Sequence, residues 1–120
     1  MILTDLPWPE GAFAAMRAAK KALKPGVLDA EAPALESKDV LHLSSNVAFS
    51  ADGLRDNAST DDLSCALEIA ESRLEGFLAV TNRNAGVYWR EDGETKHTPA
   101  FEIKSIDTLG AGDVWHAAFA

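Results

Sequence analysis

A short, unbroken apolar segment, Phe77–Thr81, limits the fold of this chain more than any other feature. Four apolar residues and a threonine follow one another, with polar loop residues on both sides. A strand with one wet face alternates apolar and polar residues, whereas an unbroken apolar strand is typical of a parallel sheet covered on both faces. Residues at helical spacing precede it: Leu63, Ala66, Leu67, Ala70 and Leu74. An amphipathic helix leading into a doubly buried strand indicates an α/β layered fold.

The other segments alternate in the same way and predict further strands and helices. The predicted strands are Ile2–Thr4, residues 27–28 ending at Asp29, residues 40–43, and a hairpin over residues 86–106 with its turn at Asp92 and Gly93. The predicted helices are one with the stripe Ala12, Phe13, Met16, Ala19 and Leu23, a short helix or turn capped by Ser44, Ser45 and Asn46 and running to about Leu54, and a final one over residues 111–120. Residues 55–60 are predicted as a loop, with Ser59 or Thr60 capping the helix that follows.

The composition excludes several classes of function. At 120 residues the chain is long enough for one modest hydrophobic core, and its net charge of −8 argues against nucleic acid or an anionic membrane as a partner. No segment approaches the roughly 20 apolar residues of a membrane helix, and the first residues do not resemble a signal peptide. The single cysteine, Cys65, fits a reducing, cytoplasmic setting and is expected to be buried on the apolar side of its helix.

The segment from Gly110 to Asp113 carries the clearest indication of chemistry. Its sequence is Gly-Ala-Gly-Asp, and apolar residues at helical spacing follow at once. Four residues of that helix are expected to be buried: Val114, Trp115, Ala118 and Phe119. A small-residue loop that enters a helix presents backbone N–H groups at the positive end of the helix dipole, which suits an anion. Asp113 lies beside that position and could take the proton of a hydroxyl that attacks a phosphate. The alternative from these residues alone is a tight turn with Asp113 as a helix cap.

Residues 107–113, Asp-Thr-Leu-Gly-Ala-Gly-Asp, resemble the second signature of the PfkB/ribokinase-like carbohydrate kinases, Asp-Thr-x-Gly-Ala-Gly-Asp. The resemblance implies a ribokinase-like α/β fold and ATP-dependent phosphoryl transfer to a sugar hydroxyl. It implies that Asp113 is the catalytic base and that the backbone N–H groups of Gly110, Ala111, Gly112 and Asp113 form the anion hole. It also implies Mg²⁺ with the ATP, and a monovalent cation such as K⁺ near Asp107.

The resemblance covers nearly the whole chain but only part of the family's fold. Complete members are more than twice as long, so residues 1–120 are expected to be the central to C-terminal part of such a kinase domain, truncated at both ends. The implied partners are a small-molecule sugar and a nucleotide, rather than a nucleic acid or a membrane.

The loop of residues 81–86 is a second candidate ligand site. Its sequence, Thr-Asn-Arg-Asn-Ala-Gly, resembles the family's Thr-x-Gly-x-x-Gly loop, which contacts nucleotide phosphates. Thr81 and Gly86 match, and Arg83 replaces the middle glycine. A hydroxyl at the carboxyl end of a strand and a glycine that admits close backbone approach both suit phosphate binding. Arg83 either adds a phosphate contact or blocks that approach. The alternative is an ordinary turn between two strands.

Two further comparisons concern the metal and the substrate. Many ribokinase-type members place Asn-x-x-Glu, which organises Mg²⁺ and phosphate, after the strand predicted here at residues 40–43. The corresponding positions are Ser44 and Val47, so the glutamate of that network is absent. Residues 39–48 are more similar to the ketohexokinase branch. Asp29 matches a recurring family acid, and its place after a strand predicts the ligand-binding edge of the sheet. The alternative is an acid that caps the next turn.

Other functions fit the residues less well. A dinucleotide-binding module needs Gly-x-Gly-x-x-Gly, and Trp115 occupies the position of the third glycine. His42, His97 and His116 have no metal-ligand spacing and are expected to be structural or solvated, so no metal site is predicted from them. A nucleoside kinase of the same family and a non-catalytic kinase fragment remain as alternatives.

Overall fold

The computed structural model describes residues 1–34, 36–102 and 110–120. These residues form a six-stranded sheet, and the strands lie side by side in the order of the sequence. The strands are β1 (Ile2–Thr4), β2 (Gly26–Ala30), β3 (Asn46–Ser50), β4 (Phe77–Thr81), β5 (Val87–Glu91) and β6 (Glu94–Thr98). Strands β1 to β4 are parallel, and β5 and β6 extend the sheet as an antiparallel hairpin. The sheet confirms the α/β class predicted from the alternating segments.

Five α-helices accompany the sheet in the described part of the chain. They are α1 (Pro9–Lys21), α2 (Lys38–Leu43), α3 (Ala51–Ala58), α4 (Leu63–Arg73) and α5 (Ala111–Phe119). The first four connect neighbouring parallel strands, and such connections share one hand, so they cover the same face of the sheet. None of the helices described is long and apolar enough to cross a lipid bilayer.

The hydrophobic core lies between that helical layer and the sheet. Every second residue of the three central strands faces it and is at most 1% exposed: Leu28, Ala30, Val47, Phe49, Leu78 and Val80. The alternate residues Val27, Ala48 and Ala79 are buried on the opposite face. The register pairs Asp29 with Ala48 and Ala48 with Ala79, so Asp29 belongs to this opposite face as well.

The segment of residues 38–58 differs from the prediction. Residues 40–43, predicted as a strand, belong to α2, and the strand is β3, where a cap and a short helix were expected. Helix α3 then runs to Ala58, through most of the predicted loop. A short apolar run fits a helix or a strand equally well, so periodicity alone does not separate them. The cap of α3 is Ser50, whose hydroxyl oxygen accepts a hydrogen bond from the N–H of Gly53 at 3.0 Å.

Two predictions for α4 were also wrong. Its cap is neither Ser59 nor Thr60 but Asp62, whose carboxylate accepts a hydrogen bond from the N–H of Cys65 at 2.9 Å. The Cys65 side chain is exposed rather than buried. The physical reason is that Cys65 lies in the first turn, to one side of the buried stripe. That stripe consists of Ala66, Leu67 and Ala70.

The hairpin of β5 and β6 is shorter than predicted. Its turn lies at Asp92 and Gly93 as expected, but the second strand ends at Thr98 rather than near residue 106. Residues 99–102 form no regular element, and residues 103–106 lie outside the described part of the chain.

Candidate active site

The predicted anion site lies at the beginning of α5. Gly110 precedes the helix and has φ +74°, a left-handed conformation that favours glycine. The N–H of Val114 donates to the carbonyl of Gly110 at 3.1 Å. The N–H groups of Ala111, Gly112 and Asp113 precede this bond in the first turn, and no described side chain caps the helix. This is the arrangement in which a helix presents backbone donors to an anion.

Gly112 leaves open space beside these donors. A methyl group added there would meet no described atom within 4 Å. Packing therefore does not account for a glycine at this position, and alanine would favour the helix more strongly. A glycine that packing does not need is consistent with close approach of a ligand to the backbone.

A cavity of about 310 Å³ lies beside the first turn of α5. Its described lining residues are Leu3, Thr4, Asp5, Asp29, Asp113 and His116. The residues from β1 and β2 lie toward the carboxyl ends of those strands, which is the edge where α/β sheets bind ligands. The cavity brings together the predicted Asp29 and Asp113 and adds Asp5. Asp5 was not predicted, although its position directly after a strand is the same signal that identified Asp29.

The side chain of Asp113 is exposed and lines this cavity. Within residues 1–34, 36–102 and 110–120, no group forms a hydrogen bond or an ion pair with its carboxylate. A carboxylate near the positive end of a helix and open to a cavity can accept a proton from a bound hydroxyl. The role of Asp113 as a catalytic base stays a prediction that this geometry permits.

Asp29 and His116 form a buried polar contact in the cavity. Oδ1 of Asp29 lies 3.1 Å from Nε2 of His116, and their side chains are 15% and 6% exposed. Both atoms are buried without hydrogen-bond alignment, to each other or to any described group. On the other side of the ring, Nδ1 of His116 lies 2.7 Å from the carbonyl oxygen of Gly112. The imidazole therefore links the first turn of α5 to the end of β2.

Burial raises the pKa of Asp29 from its ordinary value of 3.8 to about 6. The charge of His116 lowers that pKa, whereas the carboxylates of Glu31, Asp5 and Asp113 raise it further. A carboxyl group whose pKa is displaced in a cavity, among other titratable groups, is characteristic of functional sites.

Helix α5 packs differently from the prediction. The sequence predicts four buried residues in it: Val114, Trp115, Ala118 and Phe119. Instead, the buried residue is His116, and Val114 is 71% exposed. The ring of Phe119 lies 5.7 Å from that of Phe77, on the same face of the sheet as Asp29. Helix α5 therefore packs on the face opposite α1 to α4.

The loop of residues 81–86 follows β4 and does not line this cavity. The hydroxyl of Thr81 donates to the carbonyl of Phe49 at 3.5 Å. Gly86 has φ +97°, and a side chain there would overlap the carbonyl oxygen of Thr98. The fold itself therefore requires glycine at this position, which gives Gly86 a structural reason that is independent of a ligand.

Arg83 lies in a 3₁₀ turn over Arg83–Ala85 and points toward α3. Its side chain is 84% exposed, and its Nη2 lies 3.8 Å from the carboxylate of Asp52 in the first turn of that helix. Asp52 also pairs with Arg55 at 3.3 Å. An exposed pair of this kind contributes little free energy, so the guanidinium group of Arg83 can leave it for another anion.

Two other predicted positions, Ser44 and Val47, do not line the cavity. The hydroxyl of Ser44 donates to the carbonyl of Val40 at the end of α2, and Val47 is buried within β3. Neither residue follows a strand, so their comparison with Asn-x-x-Glu was wrong, because it depended on the strand predicted at residues 40–43. Asp107 lies outside the described residues, and its role near a cation stays a prediction. The residues described hold no cluster of three or more His, Cys, Asp or Glu side chains suited to a metal ion.

The signature at the start of α5 belongs to a longer match. Residues 3–120 match the model of the pfkB family carbohydrate kinases. The chain belongs to this family. The match confirms the resemblance that residues 107–113 carry.

Solved structures confirm the ribokinase-like fold. A protein from Agrobacterium tumefaciens provisionally assigned as a ribokinase aligns with a TM-score of 0.92 and 28% identity, over 98% of this chain and 40% of its own. A fructokinase from Vibrio cholerae O395, solved with fructose, ADP and a calcium ion, gives 0.74 and 20%, over 92% and 41%. An adenosine kinase from Sinorhizobium meliloti gives 0.76 and 20%, over 91% and 36%. The chain thus spans 36–41% of the length of these three proteins.

Proposed function

We propose that the protein transfers the γ-phosphoryl group of MgATP to a hydroxyl group of a sugar or sugar-like alcohol. Membership of the pfkB family supports a phosphotransferase of this kind. Within that class, we assign the general base to Asp113. We assign the anion hole to the backbone N–H groups of Gly110, Ala111, Gly112 and Asp113.

The position of Asp113 carries this proposal. Its exposed carboxylate lies in the same turn as the backbone donors and lines the cavity at the ends of β1 and β2. A phosphoryl group on the donors would lie beside the carboxylate, and an acceptor hydroxyl could enter from the cavity. Phosphoryl transfer depends mainly on positioning and on stabilisation of charge, and donors beside a base supply both.

In the proposed reaction, the acceptor oxygen attacks the γ-phosphorus while the bond from that phosphorus to the β–γ bridging oxygen breaks. The hydroxyl proton passes to the carboxylate of Asp113, and ADP leaves with the electron pair of the broken bond. Backbone N–H groups stabilise the negative charge on the equatorial oxygens in the transition state.

We assign the nucleotide phosphates to donors at the carboxyl end of β4. The hydroxyl of Thr81, the exposed guanidinium group of Arg83 and the backbone at Gly86 are the candidates. The fructokinase solved with ADP and a calcium ion supports the use of a nucleotide with a cation by this fold. Mg²⁺ enters as part of MgATP, since it commonly binds through phosphates and few carboxylates. A monovalent cation near Asp107 is proposed on the family resemblance.

A nucleoside is the alternative acceptor. The adenosine kinase that shares the fold supports it. A ribose hydroxyl and a free sugar hydroxyl make the same demand on a general base, so Asp113 would serve either substrate. The two acceptors differ in the apolar base that a nucleoside adds.

The experiment is ATP-dependent phosphorylation by the whole protein, with ketoses, aldoses and nucleosides as acceptors and ADP release as the readout. Asp113→Asn keeps the shape of the side chain but removes its basicity, so kcat should fall by about 10²–10⁴-fold with little change in KM for ATP. Asp39→Asn makes the same change in the first turn of α2, away from the cavity. That control should keep the unmodified kcat.

A protein without turnover on every acceptor tested would contradict the proposed function. An Asp113→Asn variant with most of its turnover would contradict only the role given to Asp113. A clear preference for nucleosides over free sugars would favour the alternative acceptor.

A further inference from the structure

The side chain of His116 makes a polar contact between helix α5 and the sheet, and it also contacts the first turn of α5. Of the nine residues of α5, all of them described, His116 alone is buried. It lies one turn after Gly112 and Asp113, and helical side chains lean toward the N-terminus, so its ring covers that turn. The contact of Phe119 with Phe77 holds the opposite end of the helix.

The contacts of His116 determine where its protons lie. A carbonyl oxygen only accepts hydrogen bonds, so Nδ1, at 2.7 Å from the carbonyl of Gly112, carries a proton. A neutral imidazole then has a lone pair on Nε2, which faces Oδ1 of Asp29 at 3.1 Å. A lone pair against an ionised carboxylate is repulsive. The contact therefore needs one further proton, on Nε2 or on Oδ1.

The surroundings of this pair are acidic. Asp5 after β1, Glu31 after β2 and Asp113 on α5 all act on Asp29 and, added to burial, raise its pKa. His116 is the one basic side chain among the described residues that line the cavity. Loss of the shared proton would leave a buried, uncompensated negative charge, which is costly. The proton therefore holds the contact closed.

We propose that His116 and Asp29 are positioning residues whose contact carries this one proton and thereby holds the first turn of α5, with Asp113, at the carboxyl end of β2. The inference rests on the function proposed above, because that function assigns the anion hole and the general base to the first turn of α5. As the pH rises and the proton is lost, the pair separates and the base and the backbone donors lose their alignment. A misplacement of about 1 Å in such groups lowers a rate by about 10²-fold.

Two substitutions of Asp29 distinguish the effect of the shared proton on kcat from the effect of the contact itself. Asparagine keeps the shape, and its amide N–H can donate to Nε2 of neutral His116, so the contact persists without a titrating proton. Asp29→Ala and His116→Ala break the contact, and we expect each to lower kcat by about 10–100-fold with little change in KM for ATP. Asp29→Asn should restore most of the loss seen with alanine and should flatten the alkaline limb of kcat against pH.

A spectroscopic measurement reports on the proton directly. In ¹⁵N NMR spectra of the imidazole rings in the whole protein, Asp29→Asn should shift the Nε2 resonance of His116 and leave the proton on Nδ1, because an amide N–H then faces Nε2 in place of the carboxyl group. His42→Ala removes an exposed histidine of α2, outside the cavity, and should change neither kcat nor its pH profile.

The outcomes separate this inference from the proposed function. If Asp113→Asn abolishes turnover while Asp29→Asn and His116→Ala keep the original kcat and alkaline limb, the positioning role is overturned and the proposed function stands. If Asp113→Asn keeps its turnover, the role of the base fails, and an Nε2 resonance of His116 that does not change in Asp29→Asn would overturn the proton of the pair as well. If His116→Ala does not fold, an alkaline limb that persists in Asp29→Asn still overturns the inference.

Discussion

At the scale of the residue, the surroundings of Asp29 move its pKa away from the value that is usual for an aspartate. Its pKa is about 6 in the folded protein, chiefly because of burial, and 3.8 is its ordinary value. The folded state therefore binds more protons than the unfolded state between these two pH values. The stability that this difference contributes is fully present below pH 3.8 and is lost as the pH rises through 6.

Asp29→Asn should remove this pH dependence, because asparagine does not ionise. The free energy of unfolding of the variant, relative to the unmodified protein, should increase between pH 4 and pH 7 by up to about 3 kcal/mol. Urea unfolding at closely spaced pH values measures the difference. Asp61→Asn, at an exposed position, should follow the unmodified protein throughout. A difference for Asp29→Asn that stays constant over this range would show that the pKa is not raised.

Some residues of the cavity can be predicted from the sequence because their signals are local. Asp113 was predicted from its own signature and Asp29 from the strand before it, and both line the cavity. His116 was expected to be structural or solvated, and its contact with Asp29 was not predicted. The two residues are 87 positions apart in the chain. A contact between residues so far apart leaves no pattern in a single sequence.

At the scale of the element, the beginning of α5 contains two glycines for different reasons. Gly110 has a left-handed backbone, which the turn into the helix requires. Gly112 lies within the helix, faces open space and is needed by no described neighbour. Substitutions at these two positions therefore separate folding from ligand binding.

Gly110→Ala should lower the free energy of unfolding by about 1–2 kcal/mol, because alanine strains a left-handed backbone. Gly112→Ala should leave it unchanged or raise it by up to about 1 kcal/mol, because alanine is the better helix former. Both should lower kcat/KM for ATP, the second by obstructing the approach of a phosphate to the backbone. Thermal unfolding and steady-state kinetics measure the two effects. An unchanged kcat/KM in Gly112→Ala would count against the anion site.

Elements with a clear apolar pattern were predicted better than elements whose pattern is ambiguous. Helix α4 and strand β4 were found because one has a sustained helical period and the other a bounded apolar run. Helix α2 has only six residues, and its apolar residues were assigned to a strand. That exchange moved the predicted strand away from β3 and led to the wrong positions, Ser44 and Val47, for the metal network. Tertiary burial, rather than local pattern, decides such short segments.

At the scale of the whole molecule, the core between the helical layer and the sheet contains most of the buried apolar side chains. Phe49 of β3 belongs to this core and is fully buried. Phe49→Ala should lower the free energy of unfolding by about 3–5 kcal/mol, the usual cost of removing a buried aromatic ring. Denaturant unfolding measures the loss.

The matched control for that prediction is Phe101→Ala. The Phe101 side chain is 94% exposed, so the same chemical change should alter stability by no more than about 0.5 kcal/mol. Equal losses in the two variants would show that Phe49 does not lie in the main core.

The cavity joins residues that a ribosome makes at very different times. Leu3, Thr4 and Asp5 are translated about one hundred residues before Asp113 and His116. Because domains tend to fold as they emerge, a nascent chain can complete the parallel strands while this binding space does not yet exist. A protease that cut after residue 102 would likewise leave a folded sheet with one wall of the cavity missing.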